Sequence, residues 1–513
     1  MIVLAVLSLI AVFIAASRWK RSRLPLPPGP KPWPILGNIL DMPLVRPWEK
    51  YREWCQTYNV IFLDLPMNPT VILGSTKAAL DLMDKRSNIY SDKPTSTIIK
   101  MLSWDFNIAF MPYTNRWRAH RRMFHQEFYQ GMVKKYQPRQ RKQARMALSW
   151  LLEDPVNARK HVRQFITSII FSITYGKVTS MEHEYVTLSQ TAVEGVNLAA
   201  IPGVWWVEYF PILKHVPSWV PGTASKKFAE KYQPSVTSMV NKPYAEVKAA
   251  VSEGIAPPSL AASLIERNLR EHGGTDQEAV YNEIAKNVAG IAYAAGADTT
   301  TSAASSFLLA MAIFPQVQKR AQAELDRVVG PSRLPEFEDL ARMPYIQAVA
   351  METMRWMPVI PFGVPHAVTV DDVYNGYHIP KGSTIIPNAW AMLQNEDDYP
   401  KPDLFRPERY LDKNGNIDPT VRDPGTIAFG FGRRICLGRW FSNNTLSIFI
   451  ASVLHVFDIT PGVDSSGKPV DIDAEMEGGL IVNPKHMPCG FEPRSDSARR
   501  LIKETELDSD FDE

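Results

Sequence analysis

The longest regular pattern in the chain runs from Gln277 to Ala312, where alanines, small hydroxylated residues and aliphatic side chains follow one another with few charges. A run that is apolar nearly all round predicts a helix buried through the middle of a domain. Pro315 to Asp326 is two-sided instead and predicts an amphipathic surface helix, while Arg439 to Val456 reads as another helix. Between Arg46 and Lys85 the mixture predicts a helix, short strands near Val60–Leu65 and Val71–Leu73, and a further helix. Lys93 to Phe110 carries bulky groups without a period, which predicts a packed loop. Val359 to His366 is kept extended by its prolines, and Glu477 to Pro484 reads as a turn and strand.

The chain begins differently. Met1 to Ser17 holds no charged side chain and reaches the lower length limit for a spanning helix, and Arg18, Lys20, Arg21 and Arg23 follow at once. A cleaved signal peptide carries its positive charge before the apolar run, so this order predicts a retained transmembrane anchor over 1–17, with the rest of the chain in the cytosol. Residues 18–40 form a basic and proline-rich hinge, 41–495 the main body, and 496–513 an acidic tail expected to be unstructured. The aromatic, proline-broken stretch Ile201 to Val220 suits either core packing or a membrane interface.

Composition adds limits. No Ser/Gly-rich linker divides the 513 residues, which favours one large domain. A formal charge of +3 points to no nucleic-acid partner. Cys55, Cys436 and Cys489 are too scattered for a disulfide framework or a zinc site, and a reducing compartment fits them best.

Candidate chemistry centres on Phe429-Gly-Phe-Gly-Arg-Arg-Ile-Cys-Leu-Gly438. Gly430, Gly432 and Gly438 provide flexible backbone on both sides of Cys436, and the turn runs into a helix whose N–H groups would stabilise a thiolate. Cys436 is thus either a metal ligand or a buried cysteine before a helix. Trp117 and Arg121, four apart, share a helix face within a basic segment that includes Arg116, Arg118, His120 and Arg122. Ala295-Gly-Ala-Asp-Thr-Thr300 interrupts the long apolar helix with polar groups, so a local kink is expected there unless the threonines simply bond back. Glu352 and Arg355 have intrahelical pair spacing.

Together these stretches resemble the cytochrome P-450 family. Residues 429–438 match its Phe-x-x-Gly-x-Arg-x-Cys-x-Gly signature, 295–299 its (Ala/Gly)-Gly-x-(Asp/Glu)-Thr motif, Glu352-Thr-Met-Arg355 its Glu-x-x-Arg element, and Trp117 with Arg121 its Trp-x-x-x-Arg pair. Phe405-Arg-Pro-Glu-Arg-Tyr410 matches a Pro-Glu-Arg-Phe-like segment, with Tyr410 where phenylalanine is usual. The likeness spans Pro27 to Pro493 and is closest to fungal microsomal members. It implies a mainly α fold of about a dozen helices with small β-sheets, preceded here by the one N-terminal transmembrane helix.

The resemblance also implies roles. Haem b (iron protoporphyrin IX) takes Cys436 as axial ligand, with Phe429 and Gly430 in the loop that carries it. Trp117, Arg121, Arg434 and His366 meet the propionates. Thr299 and Asp298 manage oxygen and protons. Glu352, Arg355 and Arg409 form a structural lock. Ile99, Trp104, Phe106, Ala295, Ile360, Phe362, Val364, Leu480 and Ile481 line the substrate pocket. The implied reaction inserts one oxygen atom from O2 into a lipophilic molecule, a terpenoid or aromatic secondary metabolite. Electrons come from NADPH through a separate cytochrome P-450 reductase, with cytochrome b5 a second donor, at the endoplasmic reticulum membrane. The acidic partner docks on the basic segment, aided by Lys134, Lys135, Arg139, Arg141 and Lys142. Two rival readings stay open at this stage: a reductase-independent isomerase or peroxygenase, and a non-catalytic, membrane-tethered haem or lipid binder.

Overall fold

A computed structural model describes residues 24–507 apart from 178, 179, 182, 221, 222, 464 and 465. The expected anchor over 1–17 and the start of the hinge lie outside the described residues. Among those described, no single helix is long and apolar enough to cross a membrane.

Twelve described helices have nine residues or more: α1 (Pro47–Cys55), α2 (Asn115–Phe128), α3 (Gln137–Glu153), α4 (Ala158–Tyr175), α5 (Glu184–Ala199), α6 (Ala224–Ser252), α7 (Leu260–His272), α8 (Gln277–Ile313), α9 (Pro315–Val328), α10 (Pro344–Trp356), α11 (Arg439–Val456) and α12 (Asp496–Leu507). The 37-residue α8 is the axis of the body and packs against α2, α4, α6, α7, α10 and α11. Its small residues permit that crowding. A Cβ on Gly296 would lie 2.9 Å from Ile170 Cγ1, so glycine is what lets α8 and α4 approach at this point. The kink expected at 295–300 does not form. Thr299 and Thr301 donate to the carbonyls of Ala295 and Ala297 at 2.8 and 2.7 Å, and the helix continues without interruption. At Phe314–Pro315 the chain turns 105° into α9, where proline starts the new helix.

The strands are short and peripheral. β1 (Val60–Leu63) and β2 (Thr70–Leu73) pair antiparallel; β3 (His366–Ala367), β4 (Asp372–Tyr374), β5 (Tyr377–Ile379) and β6 (Thr384–Pro387) follow later in the chain. The main sheet has the order β1-β2-β6-β3, with β2 and β6 parallel and His366 opposite Ile385. It covers a small core of Trp48, Tyr51, Leu63, Ile72 and Phe362. β7 (Phe457–Pro461) pairs with β10 (Cys489–Pro493), and β8 (Met476–Gly478) with β9 (Val482–Pro484).

Two expectations need correction. The tail from 496 is helical as far as Leu507, because Ala498, Leu501, Ile502 and Thr505 recur at helical spacing and bury one face against α3 and α11. Residues 508–513 lie outside the described residues. The loop over 93–110 contains a five-residue helix, Thr97–Met101, started by the Ser96 side chain accepting from Ile99 N–H.

Behind the site the chain is held by one carboxylate. Arg355 Nε and Nη2 donate to the two Glu352 oxygens at 2.8 and 2.9 Å, and Arg409 Nε lies 3.2 Å from the same carboxylate. Both Glu352 and Arg355 are fully buried. Arg406 N–H donates to Glu352 at 2.8 Å, and the hydroxyl of Tyr410 donates at 3.1 Å, a bond that phenylalanine there would lack. The remaining guanidinium N–H groups reach the carbonyls of Leu393, Pro400, Lys401, Pro402 and Leu404. α10 is thereby tied to the chain that leads into the Cys436 loop. Replacing Glu352 by alanine leaves two buried cations uncompensated and should cost about 3–5 kcal/mol in denaturant unfolding, while Tyr410→Phe should cost about 1–3 kcal/mol. An unchanged unfolding midpoint for Glu352→Ala would show that the network is not structural.

Candidate active site: a thiol loop beside a cationic cradle

The loop before α11 is shaped by close approaches. Gly430 has φ +77°, and a Cβ on Gly432 (φ +54°) would sit 2.1 Å from the carbonyl oxygen of Met83. Cys436 N–H donates to the carbonyl of Phe429 at 2.8 Å and closes the loop. Burial pushes the Cys436 thiol above its ordinary value, while the N–H groups of Gly438 and Arg439 and the charges of Arg439 and Arg121 oppose this and favour the thiolate. The side chain nonetheless keeps open surface. It therefore faces a cleft inside the protein rather than packed core.

Beside the loop lies a cluster of cations. Arg434 donates to the carbonyls of Ser91, Ile108 and Met111 at 2.7, 2.9 and 2.8 Å, and its guanidinium sits 4.3 Å from the centre of the Trp117 ring. Arg121 donates to the Ile435 carbonyl at 2.9 Å and covers the same ring at 5.3 Å. Burial lowers Arg434 to about 9 and Arg121 to about 10. Among the described residues neither makes an ion pair with a carboxylate. Trp117 is buried, and its Nε1–H has no hydrogen-bond partner.

Sequence reasoning missed Lys93, which belongs to this cluster. It donates to the carbonyls of Val364 and Pro365 at 3.0 and 2.8 Å, and burial followed by the Arg434 charge pushes it well below its usual range. His366 lies next to it on β3. Its Nδ1–H donates to the Tyr90 carbonyl at 2.8 Å, and burial, Lys93 and Arg434 together keep the ring neutral. Nε2 becomes a donor only when the ring is protonated, a state that a nearby anion favours. His120, expected on the surface with its basic neighbours, is instead buried. Nδ1–H donates to Arg116 and Nε2 accepts from Asn287 of α8 at 3.1 Å, because an uncharged ring can satisfy both nitrogens between two helices.

Across the cleft, α8 presents different residues on adjacent faces. Ala295 is exposed and Thr299 half-buried one turn on, whereas Asp298 turns toward α4 and pairs with Arg163 at 3.0 Å. Burial raises Asp298 and Arg163 pulls it back. A small cavity of mixed lining lies against the pair, with Thr167, Ser189, Gln190 and Tyr293 beside Val186 and Ala297. Arg163, absent from the sequence-based expectations, is on a separate helix with no local spacing to reveal it.

Ile360 and Val364 are half-buried, and Ile99, Phe106, Leu480 and Ile481 keep under a tenth of their surface. Trp104 stacks on Phe106 at 5.4 Å. Phe362 departs from its expected place in the pocket wall. It is 0% exposed, because it fills the small core beneath the sheet, so none of its surface is left for a substrate.

The sequence profile of the cytochrome P450 family matches residues 27–489. The chain belongs to the cytochrome P450 family. It is 40% identical over 98% of its length to cytochrome P450 monooxygenase COX2 of Coprinopsis cinerea, covering 95% of that protein. It is 42% identical over 98% of its length to monooxygenase ple1 of Rhodocybe pseudopiperita, covering 96% of it. Tryptamine 4-monooxygenase of Psilocybe cyanescens is 37% identical over 95% of this chain and 96% of its own. This cytochrome P450 is accordingly a monooxygenase whose cofactor is haem, acting on a small molecule with O2 and a redox partner. The residues present fit that cofactor: an unpartnered buried indole N–H and two half-buried guanidiniums without paired carboxylates suit two acid groups, and a thiol stands close by in the cleft.

Two outcomes follow. Trp117→Phe should leave the unfolding midpoint of the haem-free protein unchanged or slightly raised, since it removes an unsatisfied donor, yet weaken haem retention by about tenfold, the value of one charge-assisted hydrogen bond. Haem transfer to apomyoglobin measures this, and equal retention would remove Trp117 from the cradle. Arg163→Leu should raise Asp298 further, so the acid limb of the turnover–pH profile moves to higher pH. An unmoved limb would show that Asp298 does not control it.

Proposed function

We propose that this cytochrome P450 oxidises a lipophilic secondary metabolite, terpenoid or aromatic, with electrons from NADPH delivered by a separate flavoprotein reductase and with cytochrome b5 as a second donor. The observation that carries the reading is the juxtaposition of an accessible thiol with an uncompensated cationic cradle, under a wall of aliphatic and aromatic side chains. Haem held by Cys436 supplies the activation of dioxygen. The chain's residues do the rest. Trp117, Arg121 and Arg434 hold the acid groups, with Lys93 and a protonated His366 close enough to share them. Thr299 offers its hydroxyl to the cleft beside Ala295. Asp298 holds a proton on the other face of α8, next to the small cavity, and Arg163 sets how readily it gives it up. The aliphatic wall excludes water and orients an apolar substrate. The aromatic class draws support from the relative named as acting on tryptamine.

The partner surface is the outer side of α2 and the thiol loop. Arg116, Arg118 and Arg122 are exposed, and Arg433 donates to the Tyr113 hydroxyl at 2.8 Å. Of the cations expected to help, Lys135 pairs with Glu127, Arg141 with Glu336, and Arg139 serves the carbonyls of Ser172 and Pro258, which narrows the free charge to α2 and Lys134. Membrane association rests on a second surface. Trp33, Ile35, Leu40, Leu44 and Val45 are exposed, as are Trp206, Ile212 and Trp219, and the close approach of Gly203 to Met42 sets the two segments side by side. That apolar face supports the reading of a body resting on the endoplasmic reticulum membrane from the cytosolic side.

The deciding experiment is the reduced, carbon monoxide-bound spectrum of wild type and Cys436→Ser. Wild type should show the strongly red-shifted Soret band of thiolate-held haem and the variant should lose it. Reconstitution with NADPH and the reductase should then oxidise terpenoid or aromatic candidates. A screen yielding only fatty-acid hydroxylation would overturn the substrate class.

A further inference from the structure

Between α4, α5 and α8 the side chains of Tyr293, Phe171, Tyr175, Tyr185 and His183 pack ring against ring. Tyr293 of α8 has its ring centre 5.1 Å from Phe171 and 6.0 Å from Tyr175, both on α4. Phe171 lies 5.1 Å from Tyr175 and 5.9 Å from Tyr185 of α5, and His183 closes the row 5.0 Å from Tyr185. The Tyr293 hydroxyl donates to the main-chain carbonyl of Tyr185 at 3.2 Å, which ties the inner residue to the outer one directly. All three tyrosines are buried. Leucine or phenylalanine would fill the same space without burying a hydroxyl, so the phenols call for a further account.

The inner end of the row lies close to the reaction site. Tyr293 stands two positions before Ala295, on nearly the opposite face of α8, and lines the small cavity beside Asp298. One helix width, about 10 Å, separates it from the cleft. The three phenols differ in where a proton can go. The Tyr175 hydroxyl has no hydrogen-bond partner, and Tyr293 donates to a carbonyl, which is a poor base. Tyr185 donates to a carboxylate, Oε1 of Glu246 on α6, whose other oxygen pairs with Lys177 at 2.6 Å. Burial raises Glu246, yet its bonds to Lys177 and Tyr185 bring it below its ordinary value, so it is ionised and able to accept.

We propose that these rings form a protective relay, through which an oxidising equivalent left at the haem site without substrate is drawn off to Tyr185, the phenol proton passing to Glu246. One electron leaves the Tyr185 ring and reaches the haem site by way of Phe171 and Tyr293, where it reduces the oxidant that the monooxygenase reaction makes from O2. The Tyr185 O–H bond breaks and an O–H bond forms on Glu246 Oε1, leaving a neutral tyrosyl radical. A thiol or ascorbate in solution then returns one electron, and the proton goes back from Glu246. A phenol that has lost an electron is a strong acid, so transfer to a carboxylate already bonded to it is downhill. Tyr293 lacks such a base and carries the charge only in passing. Tunnelling falls off exponentially with the gap, so short steps between rings outrun one long jump. The inference rests on haem lying in the cleft beside Ala295 and adds an outlet for its oxidant.

Rapid-freeze electron paramagnetic resonance of the haem-loaded, substrate-free protein mixed with hydrogen peroxide tests the relay. Wild type should give a tyrosyl signal that narrows when ring-deuterated tyrosine is incorporated. Tyr185→Phe should lose it, and Glu246→Gln, which keeps an acceptor oxygen without a base, should lose most of it. Tyr175→Phe should keep it. In the same peroxide the Soret band of Tyr185→Phe should bleach faster than that of wild type, and the band of Tyr175→Phe at the wild-type rate. Both substitutions remove one phenol from the same ring cluster, so a loss caused by disturbed packing would appear in both. An absent signal in wild type, an undiminished one in Tyr185→Phe, or equal loss in Tyr175→Phe would overturn the relay. A wild type without the thiolate band in its reduced, carbon monoxide-bound spectrum sinks the site assignment and the relay with it, while a normal band with no Tyr185-dependent signal sinks the relay alone.

Discussion

Buried charge in this protein is handled in two opposite ways, and the site exists because of the difference. On one side Glu352 neutralises Arg355 and Arg409 inside the protein, and surplus donors are consumed by carbonyls of the 393–404 chain. On the other side Lys93 is buried and Arg121 and Arg434 are half-buried, but their partners are carbonyl dipoles and, for the two arginines, the Trp117 ring. A carbonyl orients a cation without cancelling its charge. The first arrangement makes a wall that needs no further charge; the second leaves cations that, among the described residues, have no paired carboxylate. The thiol loop lies between the two, anchored by the first and facing the second.

The central helix α8 divides the remaining work by face. Where Gly296 meets Ile170, the absence of a side chain brings α4 close enough for Arg163 to reach Asp298. Within one turn the helix sets Thr299, bonded back to the Ala295 carbonyl, and Asp298, paired with Arg163 beside a small cavity, on different faces. Neither group needs a break in the helix, because the threonine hydroxyls bond back along it while the main-chain ladder stays intact. Asp298 thereby faces the α4–α5 side of the helix.

The segments 96–103 and 479–481 are tied to the chain around α5 and α6 by scattered bonds, from Glu208, from Gln233 and from both the carbonyl and the side chain of Asn197, while Glu352 holds a dense buried network. Such a gradient of local stability lets one region open while another keeps its geometry. Trp206, Ile212 and Trp219 are exposed in the connection between α5 and α6.

By itself, the sequence determined what depends on neighbours along the chain. The extents of α8, α9 and α11, the glycine loop around Cys436, and the pairing of Glu352 with Arg355 were legible because helical period, turn chemistry and i,i+3 spacing are local. Arg409 was legible only through the family's motif, since its partner is 57 residues away. Tertiary structure alone decided the rest. It turned His120 and Phe362 inward, folded 496–507 onto α3, carried α6 through Pro234 and Pro243, and brought Lys93, Arg163 and Glu208 to partners far along the chain. The physical reason is the same in each case. Burial, and the pairing of charges across it, is fixed by which surfaces meet when helices pack, and no spacing within one segment encodes a partner in another.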